Sequence, residues 1–179
     1  MNSRSSQGFS LSELMVTVAV IGIVGSLAFA SSQTFLRRDQ ANAAAAELVG
    51  WLEVTSARAV AYGPCTVQFS TGTGLAAGAT FASLQSGDAR CTPTGNLTLP
   101  AIGGNQTYNL AATYTNGATA LTFTQRGGVV ANDVEAVVRI SVNNQLPLRC
   151  VRASFGSLSI GVNNATGNVG STCAVWEDT

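Results

Sequence analysis

The sequence has no lysine and no histidine, and it contains little charge of either sign. All nine basic residues are arginine, and nine acidic residues balance them, so the formal net charge at pH 7 is zero. Charged residues make up 10% of the chain, whereas about 25% is usual for soluble domains. Proteins that bind along phosphate backbones usually carry a basic excess. The composition therefore gives no support to a nucleic-acid partner.

The missing residue types also exclude several enzyme classes. Without histidine there is no imidazole to activate a serine or cysteine nucleophile, and without lysine no amine can form a Schiff base. A carboxylate pair remains available for acid–base chemistry, but no spacing in the sequence indicates one. We therefore expect a protein that is not an enzyme and that has no cofactor and no metal site.

One long apolar run follows a short polar start. Residues 1–8 carry a single charge, and residues 9–30 carry only Glu13 among apolar and small residues. The run is longer than the roughly 20 residues that a helix needs to cross a bilayer. A secretory signal peptide has a shorter apolar core and is cut after a small residue. Ala28-Phe29-Ala30 resembles such a site, so a secreted enzyme that begins near Ser31 remains an alternative.

Glu13 is the unusual residue of this run. A charge inside a membrane span costs about 2.5–3.5 kcal/mol on insertion scales, so it needs a partner. If the chain is cut before Phe9, the new α-ammonium group lies within about one helical turn of Glu13. Packed helices would then pair Glu13 of one subunit with the Phe9 amine of the next. The alternative is a glutamate at a helix end that extends to the lipid headgroups.

The segment Gln7-Gly8-Phe9-Ser10-Leu11-Ser12-Glu13-Leu14 resembles the class III signal of type IV prepilins and type II secretion pseudopilins. The resemblance implies that a prepilin peptidase cuts between Gly8 and Phe9 and that Phe9 is N-methylated. Glu13, fifth in the mature chain, would act in assembly with other pilins or pseudopilins through the N-terminal helix.

The same resemblance divides the chain into three parts. Residues 1–8 would be the leader, residues 9–36 the transmembrane and filament-core half of a long helix, and residues 37–179 a periplasmic or extracellular head. The protein would cross the bacterial inner membrane once, with its head in the periplasm. It would then move to a pilus on the cell surface or to a periplasmic pseudopilus.

Beyond the apolar run the sequence remains helical to about residue 62. Residues 41–46 are nearly all alanine, the best helix former, and Gly63-Pro64 is a typical stop signal. Residues at three- and four-residue spacing form one stripe: Leu48, Trp51, Leu52, Thr55 and Ala59. We predict one helix over about residues 10–62, packed on the head.

After Cys65 the pattern changes to alternation, which is typical of strands. Alternating segments with turn residues between them occupy 67–69, 107–114, 119–124, 136–142, 149–155 and 157–162. Gly156 predicts a tight turn or a bulge, and we interpret the glycine-rich stretch 72–78 as a flexible hairpin or loop. The predicted fold class is α+β: a pilin-like long N-terminal helix packed on an antiparallel β-sheet head.

The head resembles the GspH/FimT family of minor pilins and H-type pseudopilins. The matching features are Glu47-Leu48 leading into Gly63, a strand at 66–69, Phe123-Thr124-Gln125-Arg126-Gly127, and the strand pair over 149–162. In some members a Gly-Arg-x-Arg turn between the last two strands binds DNA. This chain has Gly156-Ser157-Leu158-Ser159 there, without arginine.

The four cysteines favour two disulfides, because an even number in an exported domain usually forms bridges. Three pairings are open. We prefer Cys65–Cys91 and Cys150–Cys173, since each pair closes a local loop. A four-cysteine zinc site is the alternative, although C-x-x-C spacing is absent.

Arg149 and Arg152 are expected on opposite faces of a strand, as solvated or ion-paired residues rather than a phosphate-binding stripe. Trp176-Glu177-Asp178 is expected to cap the head or to meet a neighbour. The leading hypothesis is a structural minor pilin that is assembled into, or primes, a type IV pilus. An H-type pseudopilin is the nearest alternative, and a DNA-binding receptor for natural transformation is an alternative of another class.

Overall fold

The computed structural model describes residues 10–85, 90–91, 95–101, 106–126 and 134–178, with the side chains of residues 27–31 and 178 outside this description. The chain forms two compact units, one that ends at Leu36 and one that begins at Arg37. An N-terminal helix is followed by antiparallel sheets, so the predicted α+β pilin-like arrangement is confirmed.

Helix α1 spans Leu11–Tyr62, close to the predicted 10–62. It ends because Gly63 adopts a left-handed conformation with φ of 115°, which glycine tolerates without steric cost. The Gly63 N–H still donates to the Ala59 carbonyl at 3.1 Å. Pro64 has no N–H with which to continue the helix.

The described strands form two antiparallel sheets. One sheet has the order β4-β3-β1-β6 and the other has the order β10-β9-β8-β7-β5-β2. The strands are β1 Cys65–Phe69, β2 Gly72–Leu75, β3 Thr80–Leu84, β4 Leu97–Thr98, β5 Tyr108–Tyr114, β6 Leu121–Phe123, β7 Ala136–Val142, β8 Gln145–Ser154, β9 Ser157–Asn163 and β10 Val175–Asp178.

One segment of the head differs from the expectation. Residues 72–75, expected in a flexible hairpin or loop, form strand β2 at the edge of the six-stranded sheet. Pairing with β5 and a hydrogen bond of 3.0 Å from the Gly74 N–H to Asn109 Oδ1 hold it there. The C-terminal Trp176-Glu177-Asp178 segment lies in the opposite edge strand, β10.

The main core lies between α1 and the two sheets. Helix residues such as Leu48 and Leu52 are fully buried in one cluster with Tyr108 and Ile140 of the six-stranded sheet and Phe81 of the other sheet. A second, smaller cluster contains Leu148, Cys150 and Cys173, with Val137, Val169 and Trp176 packed against it. The six-stranded sheet therefore has a core face towards α1 and an outer face on its other side.

Both disulfides lie in the head. Cys65 is bonded to Cys91 and Cys150 to Cys173, with Cα–Cα distances of 5.8 Å and 6.2 Å, in the usual range. These are the pairs that the sequence analysis preferred. Because all four sulfur atoms are in disulfides, none is a thiolate that can bind zinc.

Candidate processing and assembly site

Glu13 lies in the first turn of α1, where it forms a reciprocal pair of hydrogen bonds with Ser10. The Ser10 N–H donates to Glu13 Oε2 at 2.9 Å, and the Glu13 N–H donates to Ser10 Oγ at 3.3 Å. This is a capping box, in which two otherwise unpaired N–H groups of a helix start are satisfied. The Ser-x-x-Glu spacing was present in the sequence, but the sequence analysis considered only an assembly role or a position near the lipid headgroups for Glu13 and missed the cap.

The predicted cleavage site directly precedes this cap in the sequence. Gly8 and Phe9 lie outside the described residues, and α1 begins at Leu11. The structure therefore locates Glu13 at the helix start, whereas the predicted cleavage site and the Phe9 amine lie outside the described residues.

The first turns of α1 expose large apolar side chains on every side. Leu11 is 78% exposed, Met15 68% and Ile21 70%. Neighbouring positions 14, 16, 18, 20, 23 and 24 are also exposed leucine, isoleucine or valine. A helix that is apolar all round requires an apolar environment, such as a membrane or a bundle of other helices.

The Thr17 and Ser26 hydroxyl groups of this segment donate hydrogen bonds to backbone carbonyls of the same helix. Thr17 Oγ1 donates to the Leu14 carbonyl and Ser26 Oγ to the Ile23 carbonyl, both at 2.8 Å. Such bonds to the preceding turn remove the need for an outside partner. Thr17 is therefore compatible with apolar surroundings.

Among the residues that the structure describes, no helix meets the combined requirements of length and apolar character for crossing a membrane.

The arginines of the late strands lie on different faces of the six-stranded sheet. Arg149 pairs with Ile140 on the core face, and Arg152 pairs with Val137 on the outer face, which agrees with their odd spacing. Burial lowers the pKa of Arg149, and the charge of Arg38 acts in the same direction while that of Glu177 opposes it.

Within the described residues no group of three or more histidine, cysteine, aspartate or glutamate side chains is arranged to hold a metal.

Comparison with known families identifies the N-terminal segment. The family model of the prokaryotic N-terminal methylation motif matches residues 3–29, which include Gly8, Phe9 and Glu13. The comparisons with curated proteins and with solved structures gave no match.

This motif marks a type IV pilin-like prepilin signal. Together with the helix-and-sheet fold, it supports a type IV pilin or pseudopilin in general. The signal implies anchoring in a membrane, processing by a prepilin peptidase and assembly with other pilins.

Proposed function

We propose that this chain is a structural minor pilin of the GspH/FimT type that is assembled into, or primes, a type IV pilus. The observation that carries the proposal is the methylation motif over residues 3–29, on a helix that continues into an antiparallel head. The features that resemble GspH/FimT support the finer assignment: the helix that ends at Gly63, strand β1 directly after it, and the pair β8–β9.

The proposed maturation begins with insertion in the bacterial inner membrane, with residues 9–36 as the single span and residues 37–179 in the periplasm. The peptidase removes residues 1–8 and Phe9 is N-methylated. The mature subunit then leaves the membrane for the filament, where residues 9–36 pack among the helices of other pilins. The exposed apolar surface of the first turns of α1 supports this step. Such a surface needs apolar neighbours, which are lipids in the membrane and other pilin helices in the filament.

In this proposal Glu13 pairs with the Phe9 ammonium group of a neighbouring subunit. One carboxylate accepts about four hydrogen bonds, so the bond to the Ser10 N–H leaves acceptor sites for an ammonium group. The cap also orients the carboxylate at the very start of the helix. The role is structural, and no cofactor or catalytic group is proposed.

Intact mass and N-terminal peptide mapping of the protein from its native host test the processing step. We expect a mature chain that begins at Phe9 and carries one added methyl group. A Gly8→Val variant should remain uncut, because the bulky side chain blocks the peptidase, while Gln7→Ala should be cut normally. A mature start near Ser31 would overturn the proposal in favour of a discarded signal peptide.

The alternative within the class is an H-type pseudopilin of a type II secretion system, since the same signal and fold serve both machines. Deletion of the gene separates the two. Loss of surface pili with normal export of secreted enzymes supports the pilus, and the reverse result supports the secretion system.

The DNA-receptor hypothesis gains no support from the head. The β8–β9 turn at Phe155 and Gly156 leads into Ser157 and Leu158, and Arg149 and Arg152 point to different faces. Gel shifts at low salt, where phosphate contacts are strongest, should therefore show no binding of DNA by the purified chain.

A further inference from the structure

The outward side of α1 in the head is acidic. Asp39, Glu47 and Glu53 are all exposed, whereas residues such as Ala44, Leu48 and Leu52 are buried in the core. At 100° per residue the three carboxylates lie within about 120° of the helix circumference, opposite the buried stripe. We call this surface the acidic side of α1.

Small residues occupy most of the rest of the acidic side, and Val54 is also exposed there. Ala43, Ala46, Ala57 and Ala61 are exposed there, and Gly50 lies between Glu47 and Glu53. A glycine inside a helix is destabilising relative to alanine. A Cβ atom added at Gly50 meets nothing within 4 Å, so no contact within the described chain requires glycine. A surface glycine of this kind permits the close approach of another molecule.

The outer face of the six-stranded sheet carries an ordered arginine. The Arg152 guanidinium carbon lies 4.5 Å from the centre of the Trp176 ring, and Arg152 Nε donates to Ser159 Oγ at 3.2 Å. Trp176 itself packs on Gly161, where an added Cβ would be only 2.8 Å from Trp176 Cε3. The guanidinium group is therefore held in place before any partner binds.

Arg139 lies on the same face. It pairs with Cys150 on β8, while Arg152 pairs with Val137 on β7, so the two arginines are diagonal neighbours on adjacent strands. The Nε atom of Arg139 is buried and has no hydrogen-bond partner in the described part of the chain. Because this Nε atom is buried and Arg139 as a whole is half-buried, an outside carboxylate would reach Arg139 only at the terminal nitrogens of its guanidinium group.

We propose that the Arg139–Arg152–Trp176 surface is a docking site for the acidic side of α1 of a second copy of this chain. The proposal rests on the proposed role as a pilin. Charge complementarity carries it: the net charge is zero, and three exposed carboxylates lie on one side of α1 in the head, while Arg139 and Arg152 lie on the outer face of the sheet. Carboxylates form strong, often bidentate bonds with guanidinium groups.

A contact between two different faces is heterologous, and repetition of such a contact produces a closed ring if the rotation closes and an open helical filament if it does not. The inferred contact is therefore of the type found in filaments, and it places copies of this chain next to one another.

Photo-crosslinking of the full chain in its native host tests the contact. Thr113 is exposed and pairs with Val137 on the outer face, so a photoreactive amino acid at position 113 should capture a second copy. Trypsin cuts after Arg38 and Arg58, so one peptide, 39–58, contains all three carboxylates. We expect a dimeric adduct in which position 113 is joined to this peptide.

Charge-reversal variants provide the controls. Arg139→Glu with Arg152→Glu should lower the adduct yield about fivefold or more, because like charges now face one another. The variant with Asp39→Arg, Glu47→Arg and Glu53→Arg should lower it similarly, and co-expression of the two variants should restore it. Arg126→Glu, exposed in the turn after β6, should leave the yield unchanged.

An adduct with a different protein, an adduct within one chain, an adduct with another peptide, or no adduct would each overturn the inference, as would failure of the paired variants to restore the yield. These outcomes are separable from a failure of the proposed function. A chain that begins at methylated Phe9 but gives no dimeric adduct contradicts only the contact between heads.

Discussion

Glu13 combines a local and a proposed intermolecular role in one carboxylate. Its hydrogen bonds with Ser10 provide acceptors or donors for otherwise unpaired groups at the start of α1. The proposed pairing with the Phe9 ammonium group of a neighbouring subunit requires its negative charge. These roles depend on different properties of the side chain. A hydrogen-bond acceptor is sufficient for the cap, whereas assembly needs the negative charge.

Substitution of Glu13 by glutamine should separate the two roles. Gln retains the capping box but has no charge, so we expect normal cleavage at Gly8 and strongly reduced incorporation into filaments. Ser10→Ala should do the opposite: it weakens the helix start by about 0.5–2 kcal/mol and leaves assembly largely intact. Immunoblots of sheared filaments and of membranes measure both, and wild-type incorporation of Glu13→Gln would contradict the charge-pairing role.

Tyr108 shows what burial does to a single ionisable group. Its side chain is fully buried, and its hydroxyl donates to the Pro100 carbonyl at 3.4 Å. Burial, with a smaller contribution from the charge of Glu47, raises the pKa of Tyr108 to about 12, because both disfavour the phenolate.

The shift predicts a loss of stability at alkaline pH. Since the folded state holds this proton more tightly than the unfolded state, with its ordinary pKa of about 10, the stabilisation is complete below pH 10 and is lost as the pH rises from about 10 to 12. Urea unfolding at several pH values measures it. Tyr108→Phe should lessen this decline, and an equally steep decline in the variant would contradict the assignment.

At the scale of secondary-structure elements, α1 changes its surroundings along its length. Its first turns are apolar on every side, while its part in the head has one buried stripe and one acidic side. Gly63-Pro64 predicted the end of the helix from local chemistry alone. The strands were less predictable: β5, β7, β8 and β9 alternate clearly, but β2, β4 and β10 are short edge strands.

Gly50 gives a prediction that belongs to the helix as an element. Gly50→Ala should stabilise the head by about 0.5–1 kcal/mol, because alanine is the better helix former and its Cβ meets nothing. The same variant should lower the yield of the crosslink from position 113, since the added methyl group stands where a second copy approaches. Thermal unfolding and the crosslink assay measure the two effects.

Gly161→Ala serves as the matched comparison, because its Cβ would lie 2.8 Å from Trp176 Cε3 and should destabilise the head by about 1–3 kcal/mol. If Gly50→Ala destabilises the head or leaves the crosslink unchanged, the interpretation of Gly50 as a contact position is wrong.

At the scale of the whole molecule, the head has a modest number of charges and depends on its core and on two covalent bridges. Cys65–Cys91 joins the start of β1 to the segment before β4, and Cys150–Cys173 joins β8 to the segment before β10, with sequence separations of 26 and 23. Each bridge restricts the unfolded chain.

Removal of either bridge should lower the free energy of unfolding by about 3 kcal/mol, as the loop-closure model gives for loops of this size. The paired variants Cys65→Ser with Cys91→Ser and Cys150→Ser with Cys173→Ser test each one by urea denaturation. A reductant, which breaks both bridges of the wild-type chain, should lower its free energy of unfolding by more than either paired variant does. If reductant leaves the stability of the wild type unchanged, the bridges do not support the head as inferred.

The sequence by itself determined the features that depend on local pattern. The methylation motif needs only Gly8, Phe9 and Glu13 at fixed spacing before an apolar run. The helix follows from alanine content and a Gly-Pro stop, and the α+β class follows from the change to alternation after Cys65. The even number of cysteines favoured two disulfides, but the sequence left three pairings open.

Only the tertiary structure decided which residues meet across the head. The antiparallel register of β7, β8, β9 and β10 brings Arg139, Arg152 and Trp176 to one face and leaves Arg149 on the other. The edge strands form because a neighbouring strand supplies their hydrogen bonds, and Gly161 is required because Trp176 packs on it. These are contacts between segments that are distant in the sequence. The alternation within one strand does not specify its register with the next strand, so the sequence did not determine these contacts.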